Sequence, residues 1–422
     1  MSKYKYRASE LQQVNWERVR EQVQDEAVVF AVDVAKEDFV GTLMKPDRTV
    51  VQTLKWQHPR QSRELVERLQ GLKAGRLEAV MEPSGTYGDA LRGLLTASGV
   101  AVYRVSPKRV HDAAELYDGV PSLHDAKAAY LIGRLHWEGV SQRWVEPSAQ
   151  RRELQAQLGL LGLYREREQR AVNRLEARLA RHWPEAAYVL GLDSVSLLKL
   201  LARYGDAAAV AEDVQAAEAQ LRRDGGRFLC AEKVARLLDS ACTSVGVVCL
   251  EAERELLKRL AQEVLEARAE SKAIEKSLTK RVQRSAGLAQ QACVVGKVTA
   301  VVLHGALGDV EQYADAHSYV KAAGLNLKER SSGKHKGQLK LTKRGPSTAR
   351  RYVYFAVLRL IRQDGPARRW YEAKVGRDGG VKGKAITALM RKLLKALWHV
   401  GRGAEFDVQK LFGGHVSRAQ AT

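Results

Sequence analysis

Residues 27–36 read Ala-Val-Val-Phe-Ala-Val-Asp-Val-Ala-Lys, a strand-forming apolar run interrupted by one carboxylate, Asp33. An acid inside a strand buried on both faces is costly unless it is hydrated, paired or bound to a cation. Two later acids offer a reason for it. Glu82 ends a second apolar run, 76–82, just before the turn-forming Pro83-Ser84-Gly85, and Asp125 opens a helical pattern after Gly119 and Pro121. Side chains at strand ends, and in the loops beyond them, converge in α/β folds. Carboxylates gathered this way hold the Mg²⁺ pairs that cleave phosphodiesters. The same residues also suit plainer work: Asp33 capping a turn into Lys36-Glu37, Glu82 on a rim, and Asp125 as a first-turn acid. Spacing alone leaves both readings open.

A second stretch with chemical potential is 321–359, which carries eleven Lys or Arg and one acid, Glu329. Its centre, 329–337, reads as a flexible basic loop with Arg330, Lys334 and Lys336, and Lys343 and Arg344 lead into a helix over 348–361. Such a cationic loop docked on a basic helix start suits a nucleic-acid backbone. Ser331 and Ser332 in this loop are no more than candidates for a phosphate ligand or a nucleophile, since an unactivated hydroxyl needs nearby cations or a base to attack phosphorus. The turn Val294-Val295-Gly296-Lys297 opens an apolar helix over 298–307, whose first amides could also hold a phosphate.

The elements needed to position these residues follow from periodicity. Strands are predicted over 28–35, 38–44 and 49–56, the last two joined by Pro46-Asp47-Arg48, then a helix over 63–72, a strand over 77–81, a helix over 87–97 and a strand over 100–105. Helices follow over 108–117 and 126–135. This βββαβαβα order is that of a ribonuclease H-like mixed sheet, in which the first strand is central. Residues 150–183 and 251–284 read as two long helices with leucine seams, the second interrupted by Ser271, that fold back on each other or pair with a second chain. Between them, 192–247 is helical with breaks at Gly205 and Gly225-Gly226. The resulting division is an N-terminal extension (1–24), an α/β domain (25–145), a helical linker (146–286), a mainly helical C-terminal domain (287–400) and a tail (401–422). In the C-terminal domain a loop at 376–380 precedes an amphipathic helix over 384–400.

The chain has 422 residues, with 70 Lys and Arg against 49 acids and a formal charge of +21, which favours a polyanionic partner, nucleic acid before membrane. Neither a signal peptide nor a membrane anchor is indicated. Cys230, Cys242, Cys249 and Cys293 lack the close pairs of a zinc site and are too few for a disulfide scaffold, so they read as reduced packing residues of an intracellular protein.

Several blocks in order resemble the insertion-sequence-110 family of transposases: Ala31-Val32-Asp33-Val34-Ala35-Lys36, Met81-Glu82-Pro83-Ser84-Gly85-Thr86-Tyr87, and His124-Asp125-Ala126-Lys127-Ala128-Ala129. In the far domain Gly296-Lys297-Val298-Thr299-Ala300, Gly324-Leu325, Ser331-Ser332-Gly333 and Leu341-Thr342-Lys343-Arg344-Gly345 extend the match. The resemblance implies a Holliday-junction-resolvase-like N-terminal domain and a C-terminal serine domain. It makes Asp33, Glu82 and Asp125 ligands of Mg²⁺ and Ser332 the nucleophile that links to DNA, with Ser331 its rival. It implies a recombinase guided by a structured RNA encoded by the element. Its partners would be DNA, that RNA and further copies of the chain, as a dimer assembling to a tetramer, in the cytoplasm of a prokaryote at the nucleoid. One departure stands out. The family block has Asp-x-x-Asp-Ala, and the second acid falls here on Ala128. Shifting the match by a turn makes Asp125 the second acid and leaves Ser122 in place of the first. The nearest possible substitute is Asp118.

Overall fold

The computed structural model describes residues 6–412 except 84, 226–228, 283–284 and 333–334; for residues 330–332, 335, 336 and 338 it describes the backbone. The chain divides into two compact units, Met1–Pro147 and Ser148–Thr422.

The first unit is a seven-stranded mixed sheet with helices on both faces. Its elements are β1 (Ser9–Glu10), α1 (Trp16–Val23), β2 (Ala27–Asp33), β3 (Asp38–Met44), β4 (Val50–Gln57), α2 (Ser62–Gln70), β5 (Arg76–Met81), α3 (Asp89–Ala97), β6 (Ala101–Arg104), α4 (Pro107–Asp112), α5 (Asp125–Trp137) and β7 (Gln142–Arg143). The strand order is β1-β4-β3-β2-β5-β6-β7, with β2 at the centre. The meander β2-β3-β4 is antiparallel, whereas β2, β5 and β6 run parallel. This is the ribonuclease H-like arrangement expected from the order of apolar runs.

Alternation along β2 sorts its side chains between two cores. Val28, Phe30 and Val32 pack with Leu65, Leu69, Leu91 and Leu95 of α2 and α3. Val29 and Ala31 pack with Val110 of α4 and with Leu131, Ile132 and Leu135 of α5. Gly133 lets α5 lie close on that face, since a Cβ there would stand 3.1 Å from that of Ala31. Residues 6–24 of the N-terminal extension belong to this fold: β1 pairs in parallel with β4, and Leu11, Val19 and Val23 are buried with the α2 and α3 core. The helix expected over 108–117 stops at Asp112, and the chain turns through 113–119 to Gly119 at a φ of 68°.

The second unit begins with α6 (Ala149–His182), followed by α7 (Ala186–Val189), α8 (Val195–Tyr204), α9 (Ala207–Glu212), α10 (Val214–Gly225), α11 (Ala231–Cys242) and α12 (Glu251–Thr279). Helices α6 and α12 are the two long arms, and they pack antiparallel within one chain. Ion pairs Arg281–Glu153 (3.2 Å), Arg165–Glu275 (2.8 Å), Arg268–Glu168 (2.8 Å) and Arg167–Glu263 (3.0 Å) mark the register. Ser271 is fully buried in α12, its hydroxyl without a hydrogen-bond partner. Leu175 and Leu179 of α6, with Leu257, Leu260 and Val264 of α12, share a core with α8, α10 and α11, which therefore fold onto the arms.

The other halves of the arms, with Leu154, Leu158, Leu161 and Leu278, join a second core. It contains α13 (Ala286–Val295), α14 (Lys297–Leu307), α15 (Ala316–Ala322), strands β8 (Leu327–Ser332) and β9 (His335–Leu341), α16 (Ser347–Arg362), α17 (Pro366–Arg377), α18 (Lys382–Gly401) and α19 (Val408–Phe412). Two expectations are corrected here. Residues 329–332 and 335–337 of the basic segment lie in paired antiparallel strands rather than in a loop. The tail carries α19, whose Phe412 is buried with Trp370. The base of the hairpin is held by Lys343 N–H donating to the Gly324 carbonyl (3.0 Å) and by Arg350 donating to the carbonyls of Ala323 and Gly345. Gly324 has a φ of 70°, and a Cβ there would lie 2.8 Å from the Arg344 backbone.

Gly324→Ala is therefore expected to loosen the hairpin. Combined backbone strain and overlap of about 1–3 kcal/mol should lower amide protection in 327–341 by roughly tenfold or more in hydrogen exchange, with protection of β2 unchanged.

Candidate active site and nucleic-acid interface

Asp33 is the last residue of β2, and Glu82 follows directly after β5. The strands are paired in parallel with Val32 opposite Met81, so the two acids leave the sheet side by side at its C-terminal edge. Alternation then fixes their face. Asp33 continues the series Val29, Ala31 that meets α5, and Glu82 continues from Val80, which lies in the same core. Asp125 is the first residue of α5, on that same side. Burial and the neighbouring charges of Asp125 and Glu82 push the Asp33 carboxyl up to about 6, against a small opposing effect from the Val34 N–H. The structure thus brings together the three acids that the sequence singles out. The three carboxylates gather at one sheet edge without their oxygens all lying within 4.8 Å of one another, so among the described residues they do not form a closed cation site.

The turn before α5 is held by a buried lysine. Lys127, 2% exposed, donates through Nζ to Asp118 (2.9 Å) and to the Val120 carbonyl (2.7 Å). Asp118 also accepts from Val120 N–H (3.0 Å) and the Tyr6 hydroxyl (3.3 Å), and the Lys127 ammonium holds its carboxyl below the usual range. Asp118 is thereby committed to fixing the turn that delivers Asp125. Ala128, where the family block would place a further acid, is buried among Val105, Val110 and Ala113. Lys127 is a positioning residue that sequence reasoning passed over. Its signal was a lysine set among Ala126, Ala128 and Ala129 on the helix face that turns inward.

In the second unit the backbone of Ser332 ends β8, opposite His335 of β9. The side chains of Arg330, Ser331, Ser332 and Lys336, and all of Lys334, lie outside the described residues. Lys328, Lys340, Lys343 and Arg344 are exposed around the hairpin. A cavity of about 720 Å³ opens at the start of α14, bordered by Lys297, Arg351 and Arg359. Arg359 there donates to the Val295 carbonyl (2.9 Å) and the Thr299 hydroxyl (3.1 Å), tying α16 to that helix start.

A different cluster escaped the sequence altogether. His182, Cys249 and Glu253 bring one nitrogen, one sulfur and one oxygen within 4.8 Å of one another; among the described residues it is the group of three or more such ligands close enough to hold a metal ion. Burial and the carboxylate of Asp206 push the Cys249 thiol up to about 11. The cysteines read as packing residues are otherwise exposed: Cys230, Cys242 and Cys293 all face solvent.

Two outcomes follow for the first unit. A carboxyl whose folded-state pKa exceeds its unfolded value favours the fold below the unfolded value, and that contribution is lost as pH rises through the folded value near 6. Without divalent cations, D33N should therefore melt higher than the parent chain at pH 7.5, by about 1–2 kcal/mol after solvent screening, and the difference should vanish at pH 4. D118N should lower the melting temperature at neutral pH by undoing the Lys127 anchor, with the difference fading as pH falls through the depressed Asp118 pKa.

Two family comparisons bear on these residues. A model described as a transposase and named for the IS110 DEDD domain matches residues 30–184, spanning Asp33, Glu82 and Asp125. A second, described as Transposase IS116/IS110/IS902 family, matches residues 287–372, spanning the hairpin and Ser332. No curated protein matches the chain. Both matches name one family and follow each other along the chain, the first running from the sheet through α6 and the second covering α13 to α16, so this chain belongs to the IS110 family of transposases, with an N-terminal DEDD domain and a C-terminal transposase domain.

Proposed function

We propose that this transposase excises and inserts a mobile element through a serine–DNA intermediate, with Asp33, Glu82 and Asp125 holding Mg²⁺, Ser332 as nucleophile, and an element-encoded structured RNA selecting the target. The observation that carries the reading is the crowding of the three acids at the ends of β2 and β5 and the start of α5, which pushes Asp33 up to about 6. Bound there, Mg²⁺ would supply electrostatic stabilisation of the charge that develops on the reacting phosphate.

The serine chemistry balances without a redox partner. Ser332 Oγ forms a bond to phosphorus, the bond from phosphorus to one deoxyribose oxygen breaks, and that oxygen leaves as a hydroxyl while the serine proton passes to solvent. Reversal by the hydroxyl of a second DNA end rejoins the strand and frees the serine. Arg330, Lys334, Lys336, Lys343 and Arg344 would neutralise the phosphates flanking the reaction and fix the backbone. Sequence choice would then fall to base pairing with the RNA, a division of labour suited to a chain whose excess charge recognises phosphate rather than bases. Because acids and serine belong to different units, the site would be composite, drawing the acids from one subunit and the serine from another.

Variant mixing tests this. S332A should bind DNA and form no protein-linked DNA end, D33A likewise, and the two together should recover part of the activity. S331A should lose little. Nicked DNA with no covalent adduct would favour a metal-dependent nuclease or junction resolvase instead. Binding without any cleavage would mark a regulator, a reading that the buried Ala128 at the family's acid position supports. Sequencing the nucleic acid that co-purifies from cells carrying the element should yield one discrete RNA; random cellular RNA would reject guidance.

A further inference from the structure

We propose that His182, Cys249 and Glu253 form a Zn²⁺-type site that clasps the end of α6 to the start of α12, distinct in donor chemistry from the acids of the first unit. The site does not depend on the reading of Ser332 or of RNA guidance. His182 closes α6 and is 3% exposed. Its Nδ1 lies 3.0 Å from the Val247 carbonyl, which can only accept, so Nδ1 carries the proton. In the neutral ring the lone pair then sits on Nε2. That nitrogen is buried and has no hydrogen-bond partner. It stands 3.6 Å from Glu253 Oε1, too far for a hydrogen bond. The separation is instead close to the edge of a tetrahedron around Zn²⁺, about 3.3 Å for nitrogen and oxygen at their usual bond lengths.

His182 and Glu253 are aimed by their own local structure, while the Cys249 thiol now donates to the Leu250 carbonyl (3.7 Å) and would turn from it to bind. Glu253 is the third residue of α12, and its other oxygen accepts from the Leu250 N–H (3.0 Å), which turns Oε1 toward the histidine. Cys249 precedes that helix in the strap 243–250, which is itself pinned to α6 by Val247 N–H donating to the Arg181 carbonyl (2.8 Å). A cavity of about 480 Å³, bordered by His182, Asp206, Cys242, Ser244, Cys249 and Arg254, leaves room for water as a fourth ligand. The surrounding charges are already matched: Arg254 pairs with Asp206 at 3.0 Å, and Arg181 lies 3.9 Å from Glu253. Binding would exchange the thiol proton, released to solvent, for the cation. A soft sulfur and an imidazole select Zn²⁺ over the Mg²⁺ suited to three carboxylates.

Co²⁺ reports on the sulfur directly. The full-length chain, stripped by chelator and titrated with Co²⁺, should take up one equivalent with a thiolate-to-metal charge-transfer band that Zn²⁺ bleaches. C249S should lose the band, H182N should weaken uptake by at least an order of magnitude, and C293S should behave as the parent. Zn²⁺ should raise the melting temperature of the parent and leave that of C249S unchanged, with circular dichroism verifying that both variants are folded. No band in the parent, a band that survives C249S, or uptake by H182N equal to the parent would each overturn the site. The acids of the first unit cannot imitate the result, because they offer no sulfur.

Discussion

The catalytic unit depends on a repulsion. Its sheet brings the negative ends of β2 and β5 into register, where Asp33 and Glu82 are half-buried, and α5 adds a third, exposed carboxylate from its first turn. A fold does not assemble like charges at its own edge without support, and the support is visible around it. Phe30, Phe39 and Trp56 fill one face of the sheet, and the ring centroids of the Phe30–Trp56 and Phe39–Trp56 pairs lie 5.7 and 5.6 Å apart. The opposite face is closed by α5, which the absence of a side chain at Gly133 allows to approach. Apolar burial on both faces of β2 supplies the energy with which the edge holds its charges in place until a counter-charge arrives.

Much of this was legible in the sequence, for identifiable reasons. A strand buried on two faces has to be nearly continuous in Val, Ala and Phe, so the acid at its end is conspicuous, and the short connections of the meander leave little freedom in strand order. Alternation then decides the face of Asp33 and Glu82 once α5 is known to cover it. The hairpin at 327–341 was not legible. Its residues are polar on both faces, so the period of two that normally betrays a strand is missing, and composition suggested a loop. The helix at 107–112 was overextended because the helix-compatible Ala113-Ala114-Glu115-Leu116-Tyr117 continues past the point where the backbone leaves the helix.

The cluster of His182, Cys249 and Glu253 was illegible for a different reason. Metal motifs are recognised when ligands lie a few residues apart, and here the entire helical insertion separates the first ligand from the other two. Only the antiparallel pairing of α6 and α12 returns the chain to its starting point. Lys127 shows an intermediate case: it stood inside a quoted block, but its work, holding Asp118 and the Val120 carbonyl, is defined by a turn whose path periodicity does not specify.

The two arms make the insertion a hairpin loop in topological terms. It leaves at the end of α6 and returns at the start of α12, two points side by side, as at the mouth of any antiparallel helix pair with an axis separation of about 8–10 Å. Everything from α7 to α11 is therefore a cap on an otherwise complete stem. A stem of this kind is indifferent to what closes it, provided that the closure spans the mouth and covers the apolar positions of the adjacent turns. The region beyond Trp183 can thus be exchanged or shortened during descent while the C-terminal core, anchored at the other end of the same stem by Leu154, Leu158 and Leu278, keeps its own packing. Length variation in this chain has a structurally assigned place to occur, at the end of the stem farthest from the hairpin that carries the serine.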